Sequence, residues 1–292
     1  SYFSTIRRPT SSNCTVASQA IRPPSSPKAT ISELLILSAP RRSTTKVLVY
    51  CYSGNCSASY SIAAVSAIND RYCLQNKADH PILSPQAPIA CDKAINNQCK
   101  GGFVSRTLDY AKIYGLVDNT CLGYDVSKVD KTFDCATKIK DCPKWKISDY
   151  CVSSTEEGIK QEVFNHGPII VVIPVYRDFL IYKEGLYQVY PKNQKFPSGH
   201  AVKIIGWDVQ QGKNCWLIEN SWGEEWGVNG TACILVGQEE LDMERFALAP
   251  ALPQAAKEGE EEEANAEPKE KVELDSASEL KDDIGSGSDE TL

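Results

Sequence analysis

Twelve cysteines, spread from Cys14 to Cys233, are the feature that most restricts how this chain of 292 residues can fold. No two of them form a C-x-x-C pair and the chain has only three histidines, so the pattern does not resemble a zinc site. A set of disulfide bonds is the better interpretation, and it favours a secretory route to a lysosomal, vacuolar or extracellular location. Three N-x-[ST] glycosylation triplets, at Asn13, Asn55 and Asn229, are compatible with that route.

The composition allows one large domain or two modest ones, because 42% of the residues are hydrophobic and the chain is long enough to bury a sizeable core. No apolar run approaches the length of about 18 residues that spans a bilayer, so no membrane span is predicted. The start lacks a signal-like stretch, which favours a processed N-terminus at Ser1.

Charge is concentrated at the C-terminus. Residues 257–292 hold 14 acidic and 4 basic residues, a net charge of −10, which leaves the rest of the chain at +3. The body therefore has no basic stripe for nucleic acid. Residues 252–292 lack the apolar content to fold, and we expect them to form an acidic, disordered tail.

Helical patterns dominate the first half and strand patterns the second. Apolar residues spaced three and four apart predict a helix over residues 61–73, where Ser57 to Ser59 stand in the usual position of a capping serine. Further helices are predicted over residues 31–38, 108–114 and 155–165, and strands over residues 46–52, 169–176, 185–190, 200–208, 215–219 and 231–236. This order predicts an α+β fold in which a helical lobe packs against an antiparallel β-rich lobe.

The nucleophile turn and seven further ordered motifs resemble the papain family of cysteine peptidases, and cathepsin B within it. The nucleophile turn of the family resembles CSASY at residues 56–60, and its histidine and asparagine motifs resemble SGHAVKIIGW at 198–207 and WLIENSWG at 216–223. The other matching strings are NCT at 13–15, AINDRYC at 67–73, LSPQ at 83–86, CKGG at 99–102 and HGP at 166–168, followed by YRDF and YKEGLY at 176–179 and 182–187. The resemblance implies a papain-like, two-lobed fold with a cleft between the lobes.

Residue by residue, the resemblance places Ser59 where the family has its nucleophilic cysteine. Ser53 falls where the oxyanion glutamine is expected, and Tyr60 falls where a tryptophan follows the nucleophile. The catalytic histidine and asparagine positions hold His200 and Asn220, which follow Ser59 by 141 and 161 residues. Trp222 holds the position of the tryptophan that shields the histidine–asparagine contact, and Gly101 and Gly102 hold the strip that lines the substrate cleft.

The chemistry of the family explains why the serine matters. A cysteine at a helix N-terminus beside a histidine forms a thiolate–imidazolium pair, whereas a serine hydroxyl forms no such pair. Loss of one oxyanion donor costs about 10²–10³ in rate. The sequence therefore predicts a non-catalytic cathepsin B-like protein that acts as a binding or structural module. The alternatives are a weak endopeptidase that uses Ser59, His200 and Asn220, and a scaffold subunit of a larger assembly.

The resemblance also implies disulfide bonds and domain limits. It pairs Cys14 with Cys73 and Cys56 with Cys99, and it further suggests the bonds Cys91–Cys135 and Cys121–Cys142. Residues 1–22 and 53–251 form the papain-like domain, interrupted by an insert over residues 23–52. Residues 116–143 contain no histidine, so the paired histidines of the cathepsin B occluding loop are missing.

No metal or cofactor is expected at this site. The expected ligands are a peptide or protein in the cleft, and the insert or the acidic tail is a candidate surface for a protein partner.

Overall fold

The computed structural model describes residues 56–76, 82–92, 96–129, 133–190, 192 and 194–254. A compact unit ends at Pro253. The predicted helix over 31–38, the predicted strand over 46–52, the insert and nearly all of the acidic tail lie outside the described residues. None of the helices that the structure describes is both long and apolar enough to cross a membrane.

The described helices belong mainly to the first half of the chain, as predicted. They are α1 (Ser59–Asn76), α2 (Gln86–Cys91), α3 (Val104–Ile113), α4 (Cys135–Lys138), α5 (Glu156–His166) and α6 (Arg177–Leu180). Helix α1 extends past both predicted ends, and its side chains from Tyr60 to Tyr72 are buried. A helix that is buried on all sides gains its stability from packing on every face, which is why the sequence pattern of one apolar face underestimated its length.

One mainly antiparallel sheet of seven strands forms the second lobe. Its strands are β1 (Asp149–Ser153), β2 (Ile169–Tyr176), β3 (Leu186–Tyr187), β4 (Lys195–Gln210), β5 (Lys213–Glu219), β6 (Thr231–Leu235) and β7 (Ala247–Ala251). The strand order is β1-β7-β2-β4-β5-β6-β3, and among the strand pairs that the structure describes β3–β6 alone is parallel. The long strand β4 lies at the centre of this sheet, so a residue near its middle is surrounded by protein on both sides.

Two clusters of buried apolar side chains define the two lobes. The first is built on α1 and α3, and the second is built on β2, β4, β5 and β6 with α5 and α6. Ile170 and Ala201 of the sheet belong to the helical cluster, so the two lobes pack directly against each other there. The structure is thus the α+β, two-lobed arrangement that the sequence predicted.

Buried charges hold α1 against the sheet. Lys203 of β4 donates to Asp70 and, at 2.9 Å, to Ser66 on α1, and its Nζ lies 3.1 Å from Glu219 Oε1 on β5. The Glu219 contact is an ion pair, because its geometry is too poor for a hydrogen bond. Burial by itself lowers the pKa of Lys203, but the carboxylates of Asp70 and Glu219 outweigh it, and the pKa stands above its ordinary value. Lys203 therefore stays charged.

Arg71, the residue after Asp70, forms the second anchor of α1. Its guanidinium pairs with Glu162 of α5 at 3.0 Å and donates to the carbonyl oxygens of Gly167, Pro168 and Pro250. These partners lie between 91 and 179 residues away along the chain. Four acceptors satisfy a buried guanidinium and fix the end of α1 relative to α5, β2 and β7.

We expect Lys203→Met to destabilise the fold by about 3–5 kcal/mol, because it leaves two buried carboxylates without their cation. Lys112→Met is the matched control, since Lys112 forms an exposed pair with Asp149 at 3.0 Å and should contribute less than about 1 kcal/mol. The measurement is urea unfolding at pH 7. Equal effects of the two substitutions would show that the buried cluster does not anchor α1.

Candidate functional site

The N-terminus of α1 meets strand β4 at Ser59. The backbone amides of Ser61 and Ile62 donate to the carbonyl of Ala58, so the helix begins there and the Ser59 hydroxyl does not cap it. Instead Ser59 Oγ accepts a hydrogen bond from the backbone N–H of Ala201 at 3.2 Å. The predicted capping role is replaced by a contact between the two lobes, and this contact brings Ser59 next to His200.

His200 and Asn220 form the buried polar pair that the motifs predicted. His200 Nε2 lies 2.7 Å from Asn220 Oδ1, and the backbone N–H of Ser221 donates to the same oxygen at 2.8 Å. Because a backbone N–H is only a donor, Oδ1 is fixed as the acceptor and His200 Nε2 must carry the proton. In the neutral ring Nδ1 is then the free base.

An aromatic cluster covers the imidazole. The rings of His200 and Trp222 have centroids 4.7 Å apart, and Trp222 packs in turn against Phe179 and Trp226. Trp222 thus packs on the imidazole of His200. Burial is the main cause that lowers the pKa of His200 below its ordinary value, while the hydrogen bond to Asn220 opposes the shift. The ring is neutral at pH 7.

The strip that holds Gly101 and Gly102 is fastened to α1. The Cys56–Cys99 disulfide joins the two segments, and the Ser57 N–H donates to the Cys99 carbonyl at 2.8 Å. The hydroxyl of Tyr60 adds a third link, since it donates to the Gln98 carbonyl at 3.0 Å. Burial raises the pKa of Tyr60, so this hydroxyl stays protonated.

Asn96 shapes this strip, although no sequence motif identified it. Its side chain donates to Asp92 at 2.8 Å and accepts from the Phe103 N–H at 2.8 Å. A Cβ atom at position 102 would lie 2.4 Å from Asn96 Oδ1 and 2.8 Å from Tyr60 Cε2, so only glycine fits there. The backbone N–H and C=O of Gly102 make no hydrogen bond within the described part of the chain. They remain available to an extended ligand.

Three of the expected disulfide bonds are present and one is wrong. The structure contains Cys56–Cys99, Cys91–Cys135 and Cys121–Cys142. Cys73 has a free thiol, so the predicted Cys14–Cys73 bond is not formed. The structure adds Cys215–Cys233, which joins β5 to β6 and which the sequence left unassigned. Spacing along the chain does not reveal this bond, because it depends on which strands become neighbours.

Three further points about the site concern Ser53, metal ions and the side chain of Asn220. Ser53, the oxyanion position, lies outside the described residues. Among the residues that the structure describes, no group of three or more His, Cys, Asp or Glu side chains is arranged to hold a metal ion. One polar atom at the site is unpaired: the buried Asn220 Nδ2 has no hydrogen-bond partner in the described part of the protein.

Comparison with known proteins agrees with the fold. The family described as papain family cysteine protease matches residues 39–251, so the chain belongs to the papain family. It is 30% identical over 225 residues to a cathepsin B-like cysteine proteinase of Schistosoma japonicum. It is 31% identical over 227 residues to tubulointerstitial nephritis antigen of Homo sapiens.

These matches cover only part of each relative. The chain spans 65% of the Schistosoma protein and 48% of the human antigen, and the matches take up 66% and 67% of this chain. Among solved structures, procathepsin B S9 of Trypanosoma congolense superposes with a TM-score of 0.67 at 27% identity. That superposition covers 79% of this chain and 78% of the other. The protein is thus a cathepsin B-like member of the papain family.

The buried imidazole predicts a dependence of stability on pH. The unfolded chain binds a proton at His200 with a pKa near 6.5, whereas the folded chain binds it only at lower pH. As pH falls through about 6.5, the unfolded state therefore takes up more protons and the folded state loses stability. The slope of this loss is at most about 1.4 kcal/mol per pH unit for one group.

Urea unfolding of wild type and His200→Gln between pH 8.5 and 5 measures this effect. The two free-energy curves should run parallel above pH 7.5, and the wild type should fall more steeply below about 6.5. Parallel curves over the whole range would mean that His200 titrates normally and is not buried in solution.

Proposed function

We propose that this protein is a cathepsin B-like pseudopeptidase, a peptide-binding module without efficient hydrolysis. The observation that carries the proposal is the serine at position 59, at the start of α1 beside His200, with its hydroxyl accepting from Ala201. The same frame with a cysteine there would hold a thiolate–imidazolium pair. One relative is named as a proteinase and another as an antigen. Similarity to this chain is therefore shared by a protein named for peptidase activity and by one that is not.

The electrostatics of the site support the proposal. A thiolate beside His200 would stabilise the protonated ring, but a serine hydroxyl provides no such charge. Burial then keeps the ring neutral, as the lowered pKa of His200 indicates. No hydrogen bond joins the Ser59 hydroxyl to the His200 ring, both of which lie in the described part of the chain. The proposal also rests on Ser53 as a weak substitute for the oxyanion glutamine, which costs about 10²–10³ in rate.

The second candidate function is a weak serine endopeptidase, and the intact His200–Asn220 pair favours it. The tautomer places the proton on Nε2 and leaves Nδ1 as a base. A base in this state is able to accept a proton from a hydroxyl that rotates toward it in a substrate complex.

The first test is activity. We expect the wild type to turn over no cathepsin peptide substrate, and Ser59→Cys alone to restore little. Ser59→Cys/Ser53→Gln should be faster than Ser59→Cys by up to about 10²–10³, because it regains both the nucleophile and an oxyanion donor. Strong hydrolysis by the wild type that Ser59→Ala abolishes would instead establish the serine endopeptidase.

Labelling with an epoxide probe and peptide mapping separates binding geometry from turnover. The new thiol at position 59 should react faster than the native thiol of Cys73, whose pKa is raised by burial and by Asp70. Ser154→Cys is the matched control, because Ser154 is an exposed serine just after β1, which β7 and β2 separate from β4. Equal labelling of the two new thiols would show that position 59 is not activated by His200.

The strip that holds Gly101 and Gly102 supports the proposal that the ligand is a peptide. Gly102 offers an unpaired N–H and C=O, and the three links to α1 hold them in place before a ligand arrives. Main-chain hydrogen bonding of this kind does not need a nucleophile. A preorganised strip also loses less conformational entropy on binding.

An apolar surface on the other side of His200 supports an apolar side chain in that peptide. Ile170 of β2 pairs with Leu248 of β7, and both belong to the face that packs on the helical lobe. Val172, two residues along β2 from Ile170, and Phe246, just before β7, are 48% and 58% exposed. A Cβ atom added at Gly199, the residue before His200, would lie 2.8 Å from Val172 Cγ1. This surface therefore lies beside the candidate site.

We expect Phe246→Glu to weaken binding of an extended peptide that carries leucine by about 10–100-fold, because burial of such a side chain is worth about 1.5–3 kcal/mol. Val209→Glu is the control, since Val209 is similarly exposed but lies near the far end of β4. Fluorescence anisotropy with a labelled peptide measures both. If the two variants bind equally well, the apolar surface is not part of the ligand site.

The four disulfides in the described residues support the secretory route for this protein. A lysosomal and an extracellular location are equally compatible with them. A scaffold role through residues 23–52 or through the acidic tail is a further alternative that rests on the sequence alone.

A further inference from the structure

A tight turn joins the segment after Trp222 to strand β6. Val228 and Thr231 exchange backbone hydrogen bonds of 2.9 and 3.1 Å, and the two residues between them have positive φ angles, 51° for Asn229 and 82° for Gly230. This is the geometry of a type I′ turn, for which Asn-Gly is the preferred sequence. Asn229 thus lies exposed at the tip of the turn.

The turn coincides with the acceptor triplet for N-glycosylation. The type I′ geometry accounts for Asn229 and Gly230. Strand β6 then begins with Thr231, one of the two residue types that the acceptor triplet requires. Its Oγ1 donates to the Val228 carbonyl at 2.7 Å, so the hydroxyl of the triplet also helps to close the turn.

The side chain of Asn229 is free to carry a large group. It makes no hydrogen bond to any residue that the structure describes, whereas the backbone beneath it is held firmly. The Gly230 N–H donates to the Trp226 carbonyl at 2.9 Å, and the Gly230 carbonyl accepts from the Asn220 N–H at 2.9 Å. An attached group would project into solvent without moving the turn or Asn220.

We propose that Asn229 is a site of N-linked glycosylation. In this reaction Asn229 Nδ2 attacks the anomeric carbon of an oligosaccharide that is carried on a lipid diphosphate. The new N–C bond forms as the C–O bond to the diphosphate breaks, the lipid diphosphate leaves with the electron pair, and the amide nitrogen gives up one proton. The disulfide-bonded body of the chain is consistent with passage through the compartment that holds this donor.

The glycan would stand over an exposed apolar patch, made of Leu180, Ile181 and Val228. Ile181 is 76% exposed, and the Gly227 N–H donates to the Tyr182 carbonyl at 3.2 Å, which brings the end of α6 against the turn. A bulky, solvated group at Asn229 would keep this patch from contact with other molecules.

The experiment is expression of the full chain in a eukaryotic secretory host, followed by peptide mapping. Digestion with an N-glycosidase in ¹⁸O-water should convert Asn229 to ¹⁸O-labelled aspartate, and a sample without enzyme corrects for spontaneous deamidation of the exposed Asn-Gly bond. Mapping by peptide is needed because the triplets at Asn13 and Asn55 are also candidates. An unmodified Asn229 in the secreted wild type would overturn the proposal.

Substitutions at Thr231 provide a matched pair. Thr231→Ser keeps the acceptor triplet and the hydroxyl that donates to the Val228 carbonyl, so it should keep the modification. Thr231→Ala removes that hydroxyl and should lose the modification, although Asn229 and Gly230 are unchanged. Modification of Asn229 in the alanine variant would also overturn the proposal.

For the shielding role, Asn229→Gln and enzymatically deglycosylated wild type should aggregate at a lower concentration than the glycosylated protein. Equal aggregation would contradict that role.

Discussion

Helix α1 is held between the lobes by buried cations, and the site depends on this placement. Lys203 reaches from β4 to Asp70 and Ser66, and Arg71 reaches from α1 to α5 and to the segments around Pro168 and Pro250. Buried ion pairs of this kind add little net stability compared with apolar packing, but they are strongly directional and tolerate little displacement. The N-terminus of α1 therefore meets β4 in one position.

The site follows from that position. With α1 fixed, Ser59 lies against the backbone of Ala201, and the neighbouring His200 bonds to Asn220 under the ring of Trp222. Among these contacts, the hydrogen bond from the Ala201 N–H is the one that uses the side chain at position 59. In our proposal, a serine at position 59 provides no thiolate, while the surrounding frame still binds a ligand.

Much of the fold could be predicted from local patterns, and the failures have clear causes. The strand over residues 169–176 was predicted at its observed limits, because β2 is a continuous apolar run between Gly167-Pro168 and the polar residues after Tyr176. Strands β1 and β7 were missed because β1 lies at the edge of the described sheet, next to β7, and because β7 contains Pro250. Helix α2 was missed because Pro88 lies within its short span.

The sequence by itself determined the family, the two-lobed order of helices and strands, and the identities of Ser59, His200 and Asn220, since each lies in a short motif that can be read locally. The tertiary structure alone decided which groups those residues contact. In the folded protein the Ser59 hydroxyl accepts a hydrogen bond from Ala201, which is 142 residues away along the chain. The thiol of Cys73 is free, and Cys215 forms a disulfide bond with Cys233. The tertiary structure also brought Asn96 to the glycine strip. The reason is physical: a hydrogen bond or a disulfide needs its atoms within a few ångströms, and packing sets those distances.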